Sequence, residues 1–218
     1  MLLQNTLKNC LPFPEKTIFA AFNPKTTMRI DINQKKMAIG DKFSVVHNQQ
    51  TTLKAASKIF RILSEIEVFR ADNEKKLASI KKKFAFFKAR YHVEIENQAP
   101  ILFNTESYWK NHFRCINGTD TYDIYGHRGR KFSIFKNDQQ VAWFTKEAVT
   151  FFEGDNYMMM ANDDADQFLM VCFVLIVDNY RSKKRNNNAI NIDLGNVFQA
   201  RPFDKNWLPQ EETATLPV

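Results

Sequence analysis

Apolar and polar residues alternate along most of the chain between Met28 and about Met160. In the segment RYHVEIE, Tyr91, Val93 and Ile95 have one parity, and the intervening His and Glu residues have the other. Since successive side chains of a β-strand point to opposite faces, this period of two predicts strands with one apolar face. Turn-forming residues separate the segments, so the pattern predicts a series of antiparallel hairpins. Other strand candidates are RIDIN, SEIEVF, YDIY, KFSIF, QVAWF and YMMMA.

The period changes at an unbroken apolar run from Phe168 to Val177. Asp163 or Asp164 is a suitable N-cap before this run, and basic residues follow it, which favours a helix over about 164–181. About 20 apolar residues are needed to span a bilayer, and this run is half that length. The sequence therefore predicts a buried core helix rather than a membrane anchor.

The predicted helix is apolar on all sides, so contact along one face would leave the rest exposed to water. A closed sheet can enclose it. An eight-stranded barrel is filled by its own side chains, whereas a helix is about 10–12 Å across. We therefore predict a mainly β fold, a closed antiparallel barrel of about eleven or twelve strands, with many of the 20 Phe residues between helix and wall.

Several segments between Met28 and Tyr180 resemble those of the LURP-one-related proteins. They are MRIDINQKKMAIGDKFSV, KKKFAFFKARYHVEI, YWKNHFRC, KFSIF, VAWFTKEAVTFFEGDNYMMM and DQFLMVCFVLIVDNY. That family belongs to the Tubby C-terminal-like clan, together with the phospholipid scramblases. The resemblance implies a twelve-stranded closed barrel around a hydrophobic C-terminal helix. Members of the clan bind phosphoinositides through basic residues on the barrel surface, but the resemblance assigns that role to no particular residue of this chain.

The chain divides by composition into three parts. Residues 1–27 are interrupted by prolines and predict an irregular arm, residues 28–181 predict the barrel with its helix, and residues 182–218 predict a polar extension. The first residues, MLLQNTLKNCLPFPEK, lack the continuous apolar stretch of a secretory signal.

The overall charge of +7 comes from 31 Lys and Arg against 24 Asp and Glu, and it favours anionic partners. The cysteines Cys10, Cys115 and Cys172 are odd in number and have no metal-ligand spacing, which indicates a reducing compartment. We therefore expect a cytoplasmic protein, either free or peripheral to a membrane.

No catalytic motif is recognisable in the sequence, and we expect neither an enzyme nor a cofactor. The histidines at 47, 92, 112 and 127 lie on different predicted hairpins, which favours ordinary structural roles. Asp163, Asp164 and Asp166 do not continue into a calcium loop, because its sixth and twelfth positions would be Phe168 and Leu175. We accordingly predict no metal site.

A basic stretch between Lys75 and Arg90 is the best candidate for a binding site. Strand alternation places Lys81 and Lys83 on the outer face, and Lys88 and Arg90 likewise share a parity. Together these four residues are candidates for binding an anionic headgroup. The alternative is a solvated sheet surface whose lysines discourage aggregation.

A second basic cluster follows the predicted helix and consists of Arg181, Lys183, Lys184 and Arg185. It is either a short polybasic membrane contact or a set of favourable charges at the end of a helix. Nucleic acid is disfavoured as a partner, because Phe84 and Phe86 share the inward parity of Ile80 and leave no exposed aromatics among the lysines.

The sequence leaves three functional hypotheses. The first is a non-enzymatic protein that binds an anionic phospholipid surface through the Lys81–Arg90 face. The second is a protein-interaction scaffold whose tails carry the site for a protein partner. The third is lipid translocation of the scramblase type, for which the buried helix would have to leave its barrel.

Overall fold

The computed structural model describes residues 29–35, 40–58, 63–85, 88–107, 111–147, 156–187 and 200–210, without the side chains of residues 147 and 183–187. These residues form twelve strands and one helix, α1 (Gln167–Asn187). The strands are β1 (Arg29–Lys35), β2 (Lys42–His47), β3 (Gln50–Lys58), β4 (Glu65–Arg70), β5 (Lys76–Lys83), β6 (Arg90–Ile95), β7 (Ile101–Ser107), β8 (His112–Asn117), β9 (Asp120–Gly126), β10 (Lys131–Lys136), β11 (Gln139–Glu147) and β12 (Asn156–Ala161). The predicted arm, residues 1–27, lies outside the described residues.

The strands form one closed barrel in which each strand pairs antiparallel with the next along the chain. Strand β1 closes the barrel against β12, with Ile30 opposite Met159 and Ile32 opposite Tyr157. The predicted closed antiparallel barrel of about twelve strands is therefore confirmed. Closure leaves no strand edge without a partner, and it creates an interior wider than that of an eight-stranded barrel.

The alternation read from the sequence is the alternation between the inside and the outside of the barrel. On β6, Tyr91 and Val93 are buried while His92 between them is half-buried. The pairing register shifts at four places, on β2, β4, β7 and β10, between Val45 and Val46 for example. Such irregularities bend and twist strands locally, which helps a sheet to curve and close.

The two ends of the barrel differ in the length of their connections. At the end that we call the turn end, residues 48–49, 118–119 and 137–138 are two-residue turns. Asn48 and Gln49 have φ of 50° and 64°, as the tight turns that match the twist of a hairpin require. At the opposite end, the loop end, six connections of four to eight residues join the strands.

Helix α1 runs through the barrel from the turn end to the loop end. Every side chain from Phe168 to Val177 is at most 3% exposed. Near the middle, the ring of Phe173 lies 5.5 Å from the rings of Phe103 and Tyr122, which belong to β7 and β9. The predicted enclosure of the helix by the sheet is thus confirmed. Among the described residues, no helix has the length and apolar character that crossing a bilayer requires.

The bounds of the helix differ from the predicted 164–181, and its cap is not the residue expected. Asp166, rather than Asp163 or Asp164, is the N-cap, since its Oδ1 accepts a hydrogen bond from the backbone N–H of Leu169 at 2.9 Å. Asp163 lies in the preceding turn, where its N–H donates to the carbonyl of Gln210 at 3.2 Å. At the other end, the helix continues through the basic residues to Asn187.

Polar contacts fix the helix where it leaves the barrel at the loop end. The buried carboxylate of Asp178 accepts a hydrogen bond from the Tyr157 hydroxyl, and its Oδ1 lies 3.7 Å from Lys146 Nζ. At the next residue of the helix, Asn179 Oδ1 accepts a hydrogen bond from the Tyr91 hydroxyl at 3.1 Å. Because an unpaired buried polar group is costly, these contacts oppose any shift of the helix along the barrel axis.

Residues 200–210, here called the C-terminal strap, cross the outer surface of β10–β12. Arg201 forms an ion pair with Asp138 at 2.6 Å, and its guanidinium lies 3.8 Å from the centre of the Phe135 ring. At the far end, the Gln210 N–H donates to Asn162 Oδ1 at 2.8 Å. Part of the predicted polar extension, 182–218, is therefore bound to the barrel.

Candidate anion-binding rim of the barrel

The four basic residues predicted to bind an anion lie together at the loop end. Lys83 ends β5 and stands directly opposite Arg90, the first residue of β6, while Lys81 stands opposite His92. Lys88 lies just before β6 and is exposed. The hairpin pairing of β5 and β6 thus brings residues from two separate sequence segments onto one outer surface.

Two carboxylates from neighbouring strands lie among these cations. Glu94 on β6 contacts Lys81 and lies 3.8 Å from Lys83 Nζ, and Glu106 on β7 lies 3.6 Å from Lys88 Nζ. Together, the four cations and these two carboxylates carry a net charge of +2. Local sequence did not reveal this, because the carboxylates follow the basic stretch and reach it only through strand pairing.

The four cations differ in how strongly a carboxylate holds them. A hydrogen bond from Lys81, together with the nearby charge of Lys83, keeps the pKa of Glu94 below its usual value, so Glu94 is ionised at neutral pH. The Arg90 guanidinium, by contrast, donates through Nε to the neutral Asn104 amide oxygen at 3.3 Å. No carboxylate among the described residues lies within 4.0 Å of Arg90. Lys83, Lys88 and Arg90 are therefore better placed than Lys81 to bind an external anion.

Phe84 corrects one expectation from the sequence. Its parity predicted an inward side chain, yet it is 72% exposed. The reason is that β5 ends at Lys83, and alternation ends with the strand. Phe86 lies outside the described residues. An exposed aromatic therefore stands beside the basic residues, and the surroundings of these lysines no longer disfavour nucleic acid as a partner. We call Lys83, Phe84, Lys88 and Arg90 the basic rim.

The alternative, a solvated sheet surface, describes the adjacent middle of the barrel well. There Glu67 on β4 lies 2.9 Å from Lys58 Nζ and 2.6 Å from Lys76 Nζ. Hydrogen bonds from Lys76 and then Lys58 keep the pKa of Glu67 below its usual value. Such cross-strand ion pairs are ordinary surface contacts of small net energy. The basic rim differs from them in two respects: Arg90 has a neutral partner and no carboxylate within 4.0 Å among the described residues, and the exposed Phe84 follows Lys83 along the chain.

The second predicted cluster also belongs to the loop end. The helix leaves the barrel there, and Arg181 lies with its guanidinium 5.3 Å from the centre of the Phe132 ring at the start of β10. Lys183, Lys184 and Arg185 occupy the following turn of helix α1, and their side chains are outside the described part of the structure. Arg181 and the basic rim therefore share one end of the barrel, but Arg181 contacts β10 whereas the rim belongs to the β5–β6 hairpin.

The histidines and cysteines of the described strands have structural contacts. His112 Nε2 lies 2.6 Å from Asp123 Oδ1, which also accepts from Arg114 Nε at 2.9 Å, and the His112 ring stacks on Tyr125. Cys115 and Cys172 are free thiols inside the barrel, and burial raises the pKa of both.

A model of the family described as LURP-one-related matches the chain over residues 17–178. The matched region contains all twelve described strands and helix α1 as far as Asp178, including its whole apolar run. No curated protein and no solved structure matches the chain. The family expected from the segment patterns is therefore confirmed: the chain belongs to the LURP-one-related family.

Proposed function

We propose that this protein is a non-enzymatic β-barrel that docks from the cytoplasm on membranes containing anionic phospholipids, with its loop end facing the headgroups. The observation that carries the proposal is the basic rim, in which the exposed Lys88 and Arg90 and the half-buried Lys83 lie at the same end of the barrel as the exposed Phe84. Near an anionic leaflet each basic residue contributes about 1 kcal/mol. Partial burial of Phe84 in the interface would add up to about 1.5–3 kcal/mol.

The position of the second basic cluster supports the same orientation. Helix α1 carries Arg181 and the three basic residues after it out of the barrel at the loop end. A membrane facing that end would meet both clusters, whereas the turn end offers short polar turns. Stable peripheral binding generally requires more than one weak contact, which two clusters at one end would supply.

Vesicle co-sedimentation with the full chain tests this proposal. Wild-type protein is expected to bind vesicles of phosphatidylcholine with 30% phosphatidylserine and to remain free of pure phosphatidylcholine vesicles. High salt should release it, because the Debye length falls from about 10 Å at 0.1 M to 3 Å at 1 M. The double variant Lys83→Glu/Lys88→Glu should bind at least about tenfold more weakly, and Phe84→Ala should also weaken binding.

A matched control separates a local effect from an effect of net charge. Lys54→Glu/Lys75→Glu changes the overall charge by the same amount, but Lys75 lies at the turn end and Lys54 is paired with Glu74 near that end. We expect this variant to bind nearly as well as wild type. Equal losses in the two double variants, salt-insensitive binding, or preference for an oligonucleotide over the anionic vesicles would contradict the proposal.

The structure bears differently on the two other hypotheses. Lipid translocation would require helix α1 to expose ten apolar side chains and to break the Asp178 contacts, at a cost of tens of kcal/mol at roughly 1.5–3 kcal/mol per side chain.

For the scaffold hypothesis, deleting residues 182–218 would also remove the strap and disturb the barrel surface. Deleting only residues 211–218 is the cleaner test for a partner site in the tail.

A further inference from the structure

A second candidate site lies on the outside of the barrel beneath the C-terminal strap, away from the basic rim. A cleft of about 320 Å³ separates the strap from the outer faces of β10, β11 and β12. This volume is at the lower end of the range typical of small-ligand pockets. Its apolar lining consists of Trp143, Met160, Phe203, Trp207, Leu208 and Pro209.

This lining is unusual for the exterior of a barrel. Trp143 and Met160 are direct partners in the β11–β12 register, and both point outward, because Phe144 and Met159 beside them point into the core. The strap covers them only in part, and its own Leu208 remains 77% exposed. Contiguous apolar surface of this kind commonly marks a binding site.

The charges around the cleft favour an anionic group. Lys131 and Lys205 line it, and within the described ranges neither ammonium has a carboxylate within 4.0 Å. The third charged residue, Asp204, already accepts a hydrogen bond from the Asn206 N–H at 2.8 Å. Lys131 Nζ lies 5.1 Å from the centre of the Phe203 ring, so one cation stands directly beside the apolar wall.

The arrangement of the rings favours a flexible apolar chain over a flat aromatic ligand. Trp143 and Phe203 are nearly perpendicular, at 82° with their centroids 5.9 Å apart. A planar ligand cannot stack on the Trp143 ring and the Phe203 ring at once, whereas a flexible acyl chain can lie along both. Met160, Leu208 and Pro209 supply the aliphatic remainder of the surface.

We propose that this cleft binds a single-chain acyl carboxylate, that is, a fatty acid of medium chain length. The chain lies between Trp143 and Trp207, and the carboxylate meets the ammonium groups of Lys131 and Lys205. The site is independent of the basic rim, which faces the loop end and binds through headgroup charge. Loss of one site therefore leaves the other intact.

Titration of the full chain with decanoate, followed by NMR of the indole N–H groups, tests the proposal. Decanoate below its micelle concentration should shift the signals of Trp143 and Trp207 saturably. Lys131→Gln/Lys205→Gln should raise the Kd for decanoate by about fourfold to 25-fold, because exposed ion pairs each contribute a roughly twofold to fivefold factor. Lys54→Gln/Lys75→Gln, with the same charge change elsewhere, should leave the Kd unchanged.

Two further ligands complete the test. Decan-1-ol has the same chain without the charge, so wild-type protein should bind it more weakly than decanoate. Its Kd should be the same for wild type and for Lys131→Gln/Lys205→Gln. The aromatic acid 2-naphthoate should bind less tightly than decanoate. Absence of saturable shifts, equal binding of decanoate and decan-1-ol, or tighter binding of 2-naphthoate would overturn the proposal.

Discussion

Phe173 offers the sharpest test of how the barrel and its helix stabilise each other. Its side chain is fully buried within the apolar run of α1, and its ring lies 5.5 Å from the rings of Phe103 on β7 and Tyr122 on β9, two strands separated by β8. Phe173→Ala removes the transfer free energy of the ring and leaves a cavity that closed strands cannot easily fill. Such substitutions cost about 3–5 kcal/mol.

We expect a value near the middle of that range, about 4 kcal/mol, because the lost ring also makes two aromatic contacts of about 0.5–1.5 kcal/mol each. Urea unfolding followed by circular dichroism gives this difference in the free energy of unfolding directly. In thermal unfolding, a domain of this size loses about 2–4 °C per kcal/mol, so the midpoint should fall by roughly 8–16 °C.

Phe84→Ala is the matched control, since it makes the same chemical change at a side chain that is 72% exposed. It should alter the free energy of unfolding by no more than about 0.5 kcal/mol. A loss below about 1 kcal/mol in Phe173→Ala, or equal losses in the two variants, would refute a helix packed against the inner wall of the barrel.

Two further predictions concern charged and titrating groups. Glu94→Gln removes the carboxylate nearest Lys81 and Lys83 and should raise the affinity for anionic vesicles by about threefold. The control variant Glu96→Gln, near the turn end, should leave this affinity unchanged. Weaker vesicle binding by Glu94→Gln would contradict the role given to the basic rim. Burial beneath Phe203 lowers the pKa of His127 to about 4, with the Arg201 backbone acting in the opposite direction. Because the unfolded state binds this proton more tightly, the stabilisation is complete above pH 6.5 and is lost as the pH falls toward 4, by roughly 3 kcal/mol in all. Urea unfolding at several pH values should therefore show that the free energy of unfolding depends less steeply on pH in His127→Gln than in wild type. Identical slopes in the two proteins would contradict this contribution of His127.

The barrel was predictable because its strands obey a strict physical period. Tyr91 and Val93 point inward and His92 outward, as their alternation indicated, and the apolar run from Phe168 to Val177 is dry because it fills the space that the strands enclose. Alternation stopped being informative at Phe84, where the strand ends. The cap at Asp166 was missed for a similar reason, since three aspartates before one apolar run offer nearly equivalent starts.

The candidate sites depend on contacts between segments that are distant in sequence. The basic residues of the β5–β6 hairpin were visible as a local run, but Glu106 joins them from β7 through a pairing that no local pattern specifies. The cleft beneath the strap was invisible for the same reason. In sequence, the outward-facing Trp143 is indistinguishable from other strand residues. Its ring contacts Phe203, which lies sixty residues further along the chain.

Thiol labelling of Cys172 tests the enclosure of the helix most directly, and the placement of both sites depends on that enclosure. Cys172 lies in the apolar run with no exposed surface. Native protein is treated with N-ethylmaleimide, and peptide mass spectrometry distinguishes Cys172 from Cys10 and Cys115. We predict that Cys172 stays unlabelled in native protein and reacts fully in denaturant. Labelling of Cys172 in native protein at the rate of an exposed thiol would contradict it.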